Sequence, residues 1–255
     1  MKLEDLLRRT VEVVERVGAS LQELREQGVR YGRKPGFELV SEADLLAAER
    51  LHEALSSLLP EAGWLSEEHI DTSHRLAARF VWIVDPLDGT REYLLGVPEY
   101  ALSVALVEEG RPILGVVHNP ARRHTAAAVA PPDAPAENGG AVPDRIRVLI
   151  GRGEADLEEV PPLPRNVEVQ GVGSVAYRLA LLAEGRADAV VSHYPRAEWD
   201  VAAGAALCAA RGVVVSDFFG RPLQFNKPNP AVAGLLAARP AVHRRLHTYL
   251  RLVAR

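Results

Sequence analysis

Residues 81–97 read VWIVDPLDGTREYLLGV, and the rest of the chain is interpreted from this stretch. The apolar run at 80–84 is rich in β-branched and aromatic residues, which predicts a buried strand. Asp85 ends the run, and Asp88 follows in a turn that contains Pro86 and Gly89. Two ionised carboxylates at the end of a buried strand are costly to desolvate without a cation. Because Mg²⁺ takes oxygen ligands of this kind, usually together with substrate phosphates, the stretch indicates a magnesium site. The alternative is a surface turn with two solvated aspartates.

Composition sets the broad class of the protein. The chain has 255 residues, 47% hydrophobic and 25% charged, as in an ordinary globular protein of one large domain or two joined halves. Its net charge of −4 argues against binding a nucleic-acid polymer, and no apolar run approaches membrane-spanning length. Cys208 is the single cysteine, so an internal disulfide is excluded and a cytoplasmic location is expected.

Hydrophobic periodicity and turn residues predict alternating helices and strands. A loop is expected at 32–36, an extended piece at 37–40, and a loop or boundary between halves at 130–142. Helices are predicted at 3–27, from the N-cap Ser41 to about 58, at 174–184, at 200–210, and at the C-terminus from near Ala231 or Pro240. Strands are predicted at 80–84, 100–107, 113–117, 125–129, 146–150, 167–169, 187–191 and 213–215.

The motif at 85–90, DPLDGT, resembles the signature of the Mg²⁺-dependent, lithium-sensitive phosphatases related to inositol monophosphatase. With its flanks, VDPLDGTREY at 84–93, it is most similar to the bacterial 3′(2′),5′-bisphosphate nucleotidase branch. A second motif, WDVAAG at 199–204, resembles the family's second signature. The resemblance covers nearly the whole chain. It implies an α/β (mixed α+β) fold, a layered αβαβα sandwich, with the metal site between an N-terminal half (1–142) and a C-terminal half (143–255).

The resemblance implies two or three Mg²⁺ ions and a set of ligands for them. Asp85 is expected to bridge two ions, with Glu67 and the Leu87 carbonyl on the first and Asp88 and Asp200 on the second. A third, weaker ion would share Glu67. On their own residues, the adjacent glutamates of WLSEE at 64–68 are typical of a solvated turn.

Catalytic roles follow from the same resemblance. Asp44 and Thr90 are expected to orient the attacking water, while the Gly89 and Thr90 amides hold the phosphate. From spacing alone, Asp44 is better explained as a carboxylate at the start of a helix, where it interacts favourably with the helix dipole.

Three further residues are candidates for substrate binding. Gly173 and Ser174 resemble the family's helix-opening contact with the phosphorylated substrate, although an ordinary helix cap explains them equally well. Arg196, in the loop before Asp200, resembles a specificity residue of the nucleotidase branch, because a guanidinium suits a second phosphate. A lone arginine in a loop is otherwise usually solvated.

The resemblance therefore predicts a Mg²⁺-dependent phosphomonoesterase that acts on a small phosphorylated metabolite. The favoured reaction is hydrolysis of the 3′-phosphate of 3′-phosphoadenosine 5′-phosphate or a similar bisphosphate nucleotide. The main alternative is inositol 1-phosphate or a related sugar phosphate, and a further one is a non-catalytic regulator that keeps the fold. The expected assembly is a homodimer.

Overall fold

Five alternating layers of helix and sheet form this protein, as seen in a computed structural model that describes residues 2–33, 39–132, 141–157 and 163–253. The helices are α1 (Leu3–Gln27), α2 (Glu42–Leu58), α3 (Thr90–Leu95), α4 (Arg152–Asp156), α5 (Val175–Ala183), α6 (Glu198–Ala209) and α7 (Pro240–Val253), with 3₁₀ turns at Ser73–Ala77 and Pro120–Arg122. The strands are β1 (Tyr31–Arg33), β2 (Leu39–Ser41), β3 (Gly63–Ser66), β4 (Phe80–Asp88), β5 (Ala101–Glu108), β6 (Arg111–Asn119), β7 (His124–Val129), β8 (Ile146–Gly151), β9 (Val167–Val172), β10 (Ala189–Ser192), β11 (Arg196–Ala197), β12 (Val214–Ser216), β13 (Ala231–Val232) and β14 (Leu235–Ala238).

The first large sheet has the order β3-β4-β5-β6-β7 and is covered by helices on both faces. In β4, Trp82 and Val84 face the core that α1 and α2 cover, while Val81 and Ile83 face the core that α5 and α6 cover. A strand buried on both faces needs no polar alternation. This is why residues 80–84 form a continuous apolar run.

The second large sheet has the order β12-β14-β10-β8-β9 and completes the layers. Leu149 and Val190 on one face join the core around α5 and α6. Val148 and Val191 on the other face pack with Val242 of α7. The sequence of layers is therefore α1/α2, sheet, α5/α6, sheet, α7, which confirms the predicted αβαβα sandwich.

The structure confirms the long predicted elements. Helix α1 has the predicted bounds, and the Ser41 side chain accepts a hydrogen bond from the Ala43 amide as the N-cap of α2. The strands predicted at 100–107 and 113–117 are present as β5 and β6, which pair in antiparallel orientation. Of the predicted loop and extended piece at 32–40, residues 34–38 lie outside the described chain, as do 133–140 of the predicted boundary.

Several predicted boundaries are wrong. Strand β4 does not stop at Val84 but continues to Asp88 through a register shift against β5. The residues at 63–66, for which no strand is predicted, pair with β4 as a parallel edge strand, and Glu67 and Glu68 follow in a half-buried turn. Helix α6 begins at Glu198, two residues earlier than predicted. Of the two proposed starts for the terminal helix, Pro240 is correct, since Ala231 lies in β13.

Among the described helices, none is both long and apolar enough to cross a membrane.

Close contact between β6 and α6 joins the N-terminal sheet to the middle helical layer. A Cβ atom built on Gly115 of β6 would lie 2.4 Å from the Ala203 carbonyl oxygen and 2.8 Å from the Ala206 Cβ of α6. A Cβ on Gly204 would lie 2.4 Å from the Leu179 Cβ of α5. The small residues of the WDVAAG motif therefore allow α6 to pack at backbone distance against its neighbours.

We expect Gly115→Ala to destabilise the protein by about 1–3 kcal/mol, because overpacking of this contact forces α6 away from the sheet. Gly32→Ala is the matched control, since nothing lies within 4 Å of a Cβ built there. Urea unfolding followed by circular dichroism measures both variants. Equal midpoints for Gly115→Ala and the unchanged protein would show that this contact is not tight.

Candidate active site

A pocket of about 1140 Å³ collects most of the residues that the sequence motifs single out. Its wall includes residues from both halves of the chain. From the N-terminal half come Glu67, Asp85, Leu87, Asp88, Gly89 and Thr90, and from the C-terminal half Arg196 and Asp200. Gly173 and Ser174 line an adjoining cavity of about 340 Å³, which shares Asp88, Gly89 and Arg196 with the larger one.

The irregular end of β4 presents two of these carboxylates. Asp85 pairs with Ser103 of β5, whereas Asp88 pairs with Ala101, so β4 carries one extra residue between them. Such a bulge tolerates Pro86, which has no amide hydrogen to donate to a neighbouring strand. Asp85 is almost fully buried, and one of its oxygens accepts a hydrogen bond from the Leu87 amide at 3.0 Å.

The start of α5 holds Asp88. One carboxylate oxygen of Asp88 accepts hydrogen bonds from the Ser174 hydroxyl at 2.6 Å and from the Ala176 amide at 2.7 Å. Ser174 also caps α5 by accepting from the Tyr177 amide, and the Gly173 amide donates to Glu99. In this structure Ser174 therefore positions a predicted metal ligand, whereas Gly173 binds Glu99, and the direct contact of both with substrate stays a prediction.

The start of α6 places Asp200 in the same pocket as the β4 carboxylates. Asp200 lies in the first turn, where one oxygen accepts a hydrogen bond from the Ala197 amide at 3.1 Å. The Ser103 hydroxyl of β5 donates to the Trp199 carbonyl at 3.1 Å, which ties this turn to the central sheet.

Burial raises the pKa values of three carboxylates in the pocket, and neighbouring acids add to the effect for two of them. The pKa of Asp200 rises to about 8, first because the group is buried and then because of the charge on Asp88. Burial likewise raises the pKa of Asp85 well above its usual range, with further contributions from Glu67, Asp88 and Asp200. Burial also raises the pKa of Asp88, although its hydrogen bonds from Ser174 and Ala176 oppose this. A bound cation would relieve this repulsion and lower all of these pKa values.

The donor set fits Mg²⁺. Within the described ranges, no three His, Cys, Asp or Glu side chains are close enough to form a metal cluster by themselves. Mg²⁺ usually takes one or two protein carboxylates and completes its shell with water and substrate phosphate, so a preformed cluster is not required. Oxygen donors alone, in a buried site with surplus negative charge, suit a hard divalent cation.

Thr90 and Asp44 form the contact that the family resemblance implies. The Thr90 hydroxyl donates to one oxygen of Asp44 at 2.7 Å. The other oxygen of Asp44 accepts from the Ser41 amide at 2.7 Å and the Ser41 hydroxyl at 2.6 Å, which forms the capping box of α2. The two explanations of Asp44 are therefore compatible, because one carboxylate caps a helix and fixes Thr90.

Arg196 lines the pocket but is already engaged. Its guanidinium pairs with Glu154 and donates through Nε to the Ser192 hydroxyl at 3.0 Å. Its role in binding a second phosphate stays a prediction.

Sequence reasoning missed the ion-pair network around the smaller cavity. Arg152 binds Glu99 through Nε at 2.7 Å and Nη2 at 2.6 Å, and Glu154 holds Arg196. Arg178 lines the same cavity and is almost fully buried. One signal was available, because Arg178 is an isolated charge in the apolar sequence VAYRLALLA of α5.

We expect the metal-free protein to lose stability as the pH rises from 6.5 to 8. The pKa of Asp200 is about 8 when folded against a usual 3.8, so over this interval the folded state binds a proton that the unfolded state does not. The free energy of unfolding therefore falls with rising pH. Thermal unfolding in the presence of a chelator, at several pH values, measures this dependence of stability on pH. Asp200→Asn should make the dependence weaker. Added Mg²⁺ should restore the stability of the unchanged protein. Asp188→Asn, which alters a carboxylate paired with Arg147 outside the pocket, is the control. An unaltered slope in Asp200→Asn would contradict the assignment.

Comparison with known proteins agrees with this geometry. A profile described as the inositol monophosphatase family matches residues 2–139 and 146–252. A protein from Aggregatibacter actinomycetemcomitans named 3′(2′),5′-bisphosphate nucleotidase CysQ is 30% identical over 236 residues, which are 87% of this chain and 88% of that protein. A Xylella fastidiosa protein named Nus factor SuhB is 32% identical over 210 residues, which are 74% of this chain and 72% of that protein.

The fold is also shared with solved structures. An IMPase from Thermotoga maritima superposes with a TM-score of 0.79 at 24% identity, and the match covers 98% of each chain. With its layered fold, its two motifs in one pocket and a family profile matched over most of its length, the chain belongs to the inositol monophosphatase family and is a phosphoric monoester hydrolase.

Proposed function

We propose that this protein is a Mg²⁺-dependent phosphomonoesterase that removes the 3′-phosphate from 3′-phosphoadenosine 5′-phosphate or a similar bisphosphate nucleotide. One observation carries the choice of substrate. The acidic pocket opens into a cavity lined by Arg152, Arg178 and Arg196, so a cation site adjoins a group of guanidinium side chains. A substrate with two phosphates matches that pairing, and the relative from Aggregatibacter is named for such substrates.

The chain would hold Mg²⁺ through Glu67, Asp85, Asp88, Asp200 and the Leu87 carbonyl, all of which line the pocket. When bound, such ions stabilise both the attacking and the leaving oxygen of an in-line displacement at phosphorus. The protein's part is to fix the orientation of each carboxylate. Backbone amides do this for Asp85 and Asp200, and the start of α5 does it for Asp88.

Thr90 and Asp44 would position the attacking water. The Thr90 hydroxyl donates its hydrogen bond to Asp44 Oδ1, so the lone pairs on Thr90 Oγ1 are available to accept a hydrogen bond from water. Rotation of the Asp44 carboxylate is restricted, because the Ser41 amide and hydroxyl both donate hydrogen bonds to its other oxygen. A base fixed within hydrogen-bonding reach of the water is what general-base assistance requires.

Gly89 has no side chain, so a phosphate can approach the backbone closely at this position. Its φ of +99° is in the region that favours glycine, and the pocket wall includes both Gly89 and Thr90. We assign the amides of these two residues to the phosphate that is removed.

Inositol 1-phosphate or a related sugar phosphate is the second candidate. The ion pair between Arg196 and Glu154 favours it, because that pair neutralises one arginine and leaves a polar wall that can bind hydroxyl groups.

Hydrolysis of a substrate panel separates the two. We expect kcat/KM with Mg²⁺ to be higher for 3′-phosphoadenosine 5′-phosphate than for inositol 1-phosphate, because the arginine-lined cavity adds binding to a second phosphate. Phosphate release measures both reactions under matched conditions. A higher value for inositol 1-phosphate would overturn the nucleotide assignment while leaving the phosphatase class intact.

We expect Asp88→Asn to keep the fold and to abolish Mg²⁺-dependent turnover. An asparagine oxygen can still accept from Ser174 and Ala176, but the charge that binds the metal is lost. Steady phosphate release is compared with that of Asp188→Asn, the same change outside the pocket. Near-normal release by Asp88→Asn at saturating Mg²⁺ would contradict the metal assignment. Absence of release from the unchanged protein on every ester would favour a non-catalytic regulator.

A further inference from the structure

Arg178 is a buried cation with a donor that nothing in the described structure satisfies. The residue lies on α5 and is 1% exposed. Its Nε is 3.4 Å from the Ser174 carbonyl oxygen, while Nη1 is buried and has no hydrogen-bond partner among the described residues. A buried charged donor without a partner is costly, and such a group in a native protein calls for a ligand or another compensation.

The other two arginines of the cavity are already matched by carboxylates. Arg152 binds both oxygens of Glu99, and Arg196 pairs with Glu154. For Arg178 the described part of the chain contains no such ion pair. Of the three arginines that line the cavity of about 340 Å³, Arg178 is therefore the one without a bonded carboxylate among the residues that the structure describes, although Asp88 and Glu92 also line this cavity.

Some of the acids that stabilise the charge on Arg178 in the metal-free protein are also assigned to the metal. The pKa of Arg178 is lowered to about 10, first by burial and then by the charge on Arg196, whereas Glu154, Asp88 and Asp200 act in the opposite direction. Asp88 and Asp200 are two of the residues assigned to Mg²⁺. When a divalent cation takes up their charge, the guanidinium of Arg178 remains charged at neutral pH and needs a different anion.

The position of Arg178 fits an anion that belongs to the substrate itself. The smaller cavity shares Asp88, Gly89, Glu92 and Arg196 with the main pocket, so one ligand can occupy both. We propose that Arg178 binds the non-reacting phosphate of a bisphosphate substrate and thereby sets the preference for bisphosphates over monophosphates. Arg196, held by Glu154, then shapes the cavity wall. This inference rests on the proposed phosphatase function.

Substrate preference tests the proposal in Arg178→Met. In the presence of Mg²⁺, kcat/KM is measured for adenosine 3′,5′-bisphosphate and for adenosine 3′-monophosphate, which lacks the second phosphate. We expect the ratio of the two values to fall roughly 10- to 100-fold, mainly through KM for the bisphosphate, since a charge-assisted hydrogen bond is lost. The monophosphate should lose far less, because it has no group for Arg178 to contact.

Equilibrium binding provides a readout that does not depend on turnover. Adenosine 5′-monophosphate carries only the non-reacting phosphate, and its affinity is measured by calorimetry with and without Mg²⁺. We expect Arg178→Met to weaken this binding by a similar factor. Arg178→Lys keeps the charge but loses the planar fork of donors, so its affinity for adenosine 5′-monophosphate should lie between those of the unchanged protein and Arg178→Met. Arg79→Met removes an exposed arginine that pairs with Glu108 on β5, away from both cavities, and should leave the ratio unchanged.

The outcomes separate this inference from the proposed function. An unchanged preference in Arg178→Met, or equal losses on both nucleotides, overturns the role of Arg178 and leaves the nucleotidase assignment standing. Should Arg178→Met lack a cooperative thermal transition, the ratio for Arg178→Lys decides, and an unaltered ratio overturns the proposal. If the unchanged protein prefers inositol 1-phosphate, the nucleotide function fails and this inference fails with it.

Discussion

Mutual repulsion among buried carboxylates is the constraint on which the rest of this structure depends. Burial and the charges of neighbouring acids, including Glu67 and Asp88, raise the pKa values of Asp85 and Asp200. A chain gains nothing in stability from such a grouping unless a cation joins it, because each charge is desolvated and faces others of the same sign. Their grouping is therefore evidence of function, and the surrounding elements hold them in place.

Asp85, Asp88 and Asp200 are each held by a donor at the end or bulge of a secondary-structure element. The Leu87 amide in the β4 bulge binds Asp85, the Ala197 amide ahead of α6 binds Asp200, and the start of α5 binds Asp88. Element ends provide backbone amides that are not used within the helix or sheet. The protein thus orients these three carboxylates mainly with main-chain amides, together with the Ser174 hydroxyl.

The middle helical layer brings the two halves of the site together. Helix α6 carries Asp200 and packs against Gly115 of β6, and Ser103 of β5 binds the turn just before that carboxylate. Helix α5 contributes both the cap that binds Asp88 and the buried Arg178. The same packing that forms the core between the sheets therefore brings the acids of the larger pocket next to the cavity lined by Arg152, Arg178 and Arg196.

Local sequence determined the elements, the metal motif and the family. The apolar run before Asp85, the cap at Ser41 and the periodicity of α1 are local patterns, and the structure reproduces them because their causes lie within a few residues. Only tertiary structure decided what surrounds the substrate. The length of β4 depends on its pairing with β5, and the partners of Arg196 and the isolation of Arg178 depend on side chains distant in sequence. Charge balance in a buried cavity is a sum over all the groups that the fold gathers there, so no single stretch of the chain could predict it.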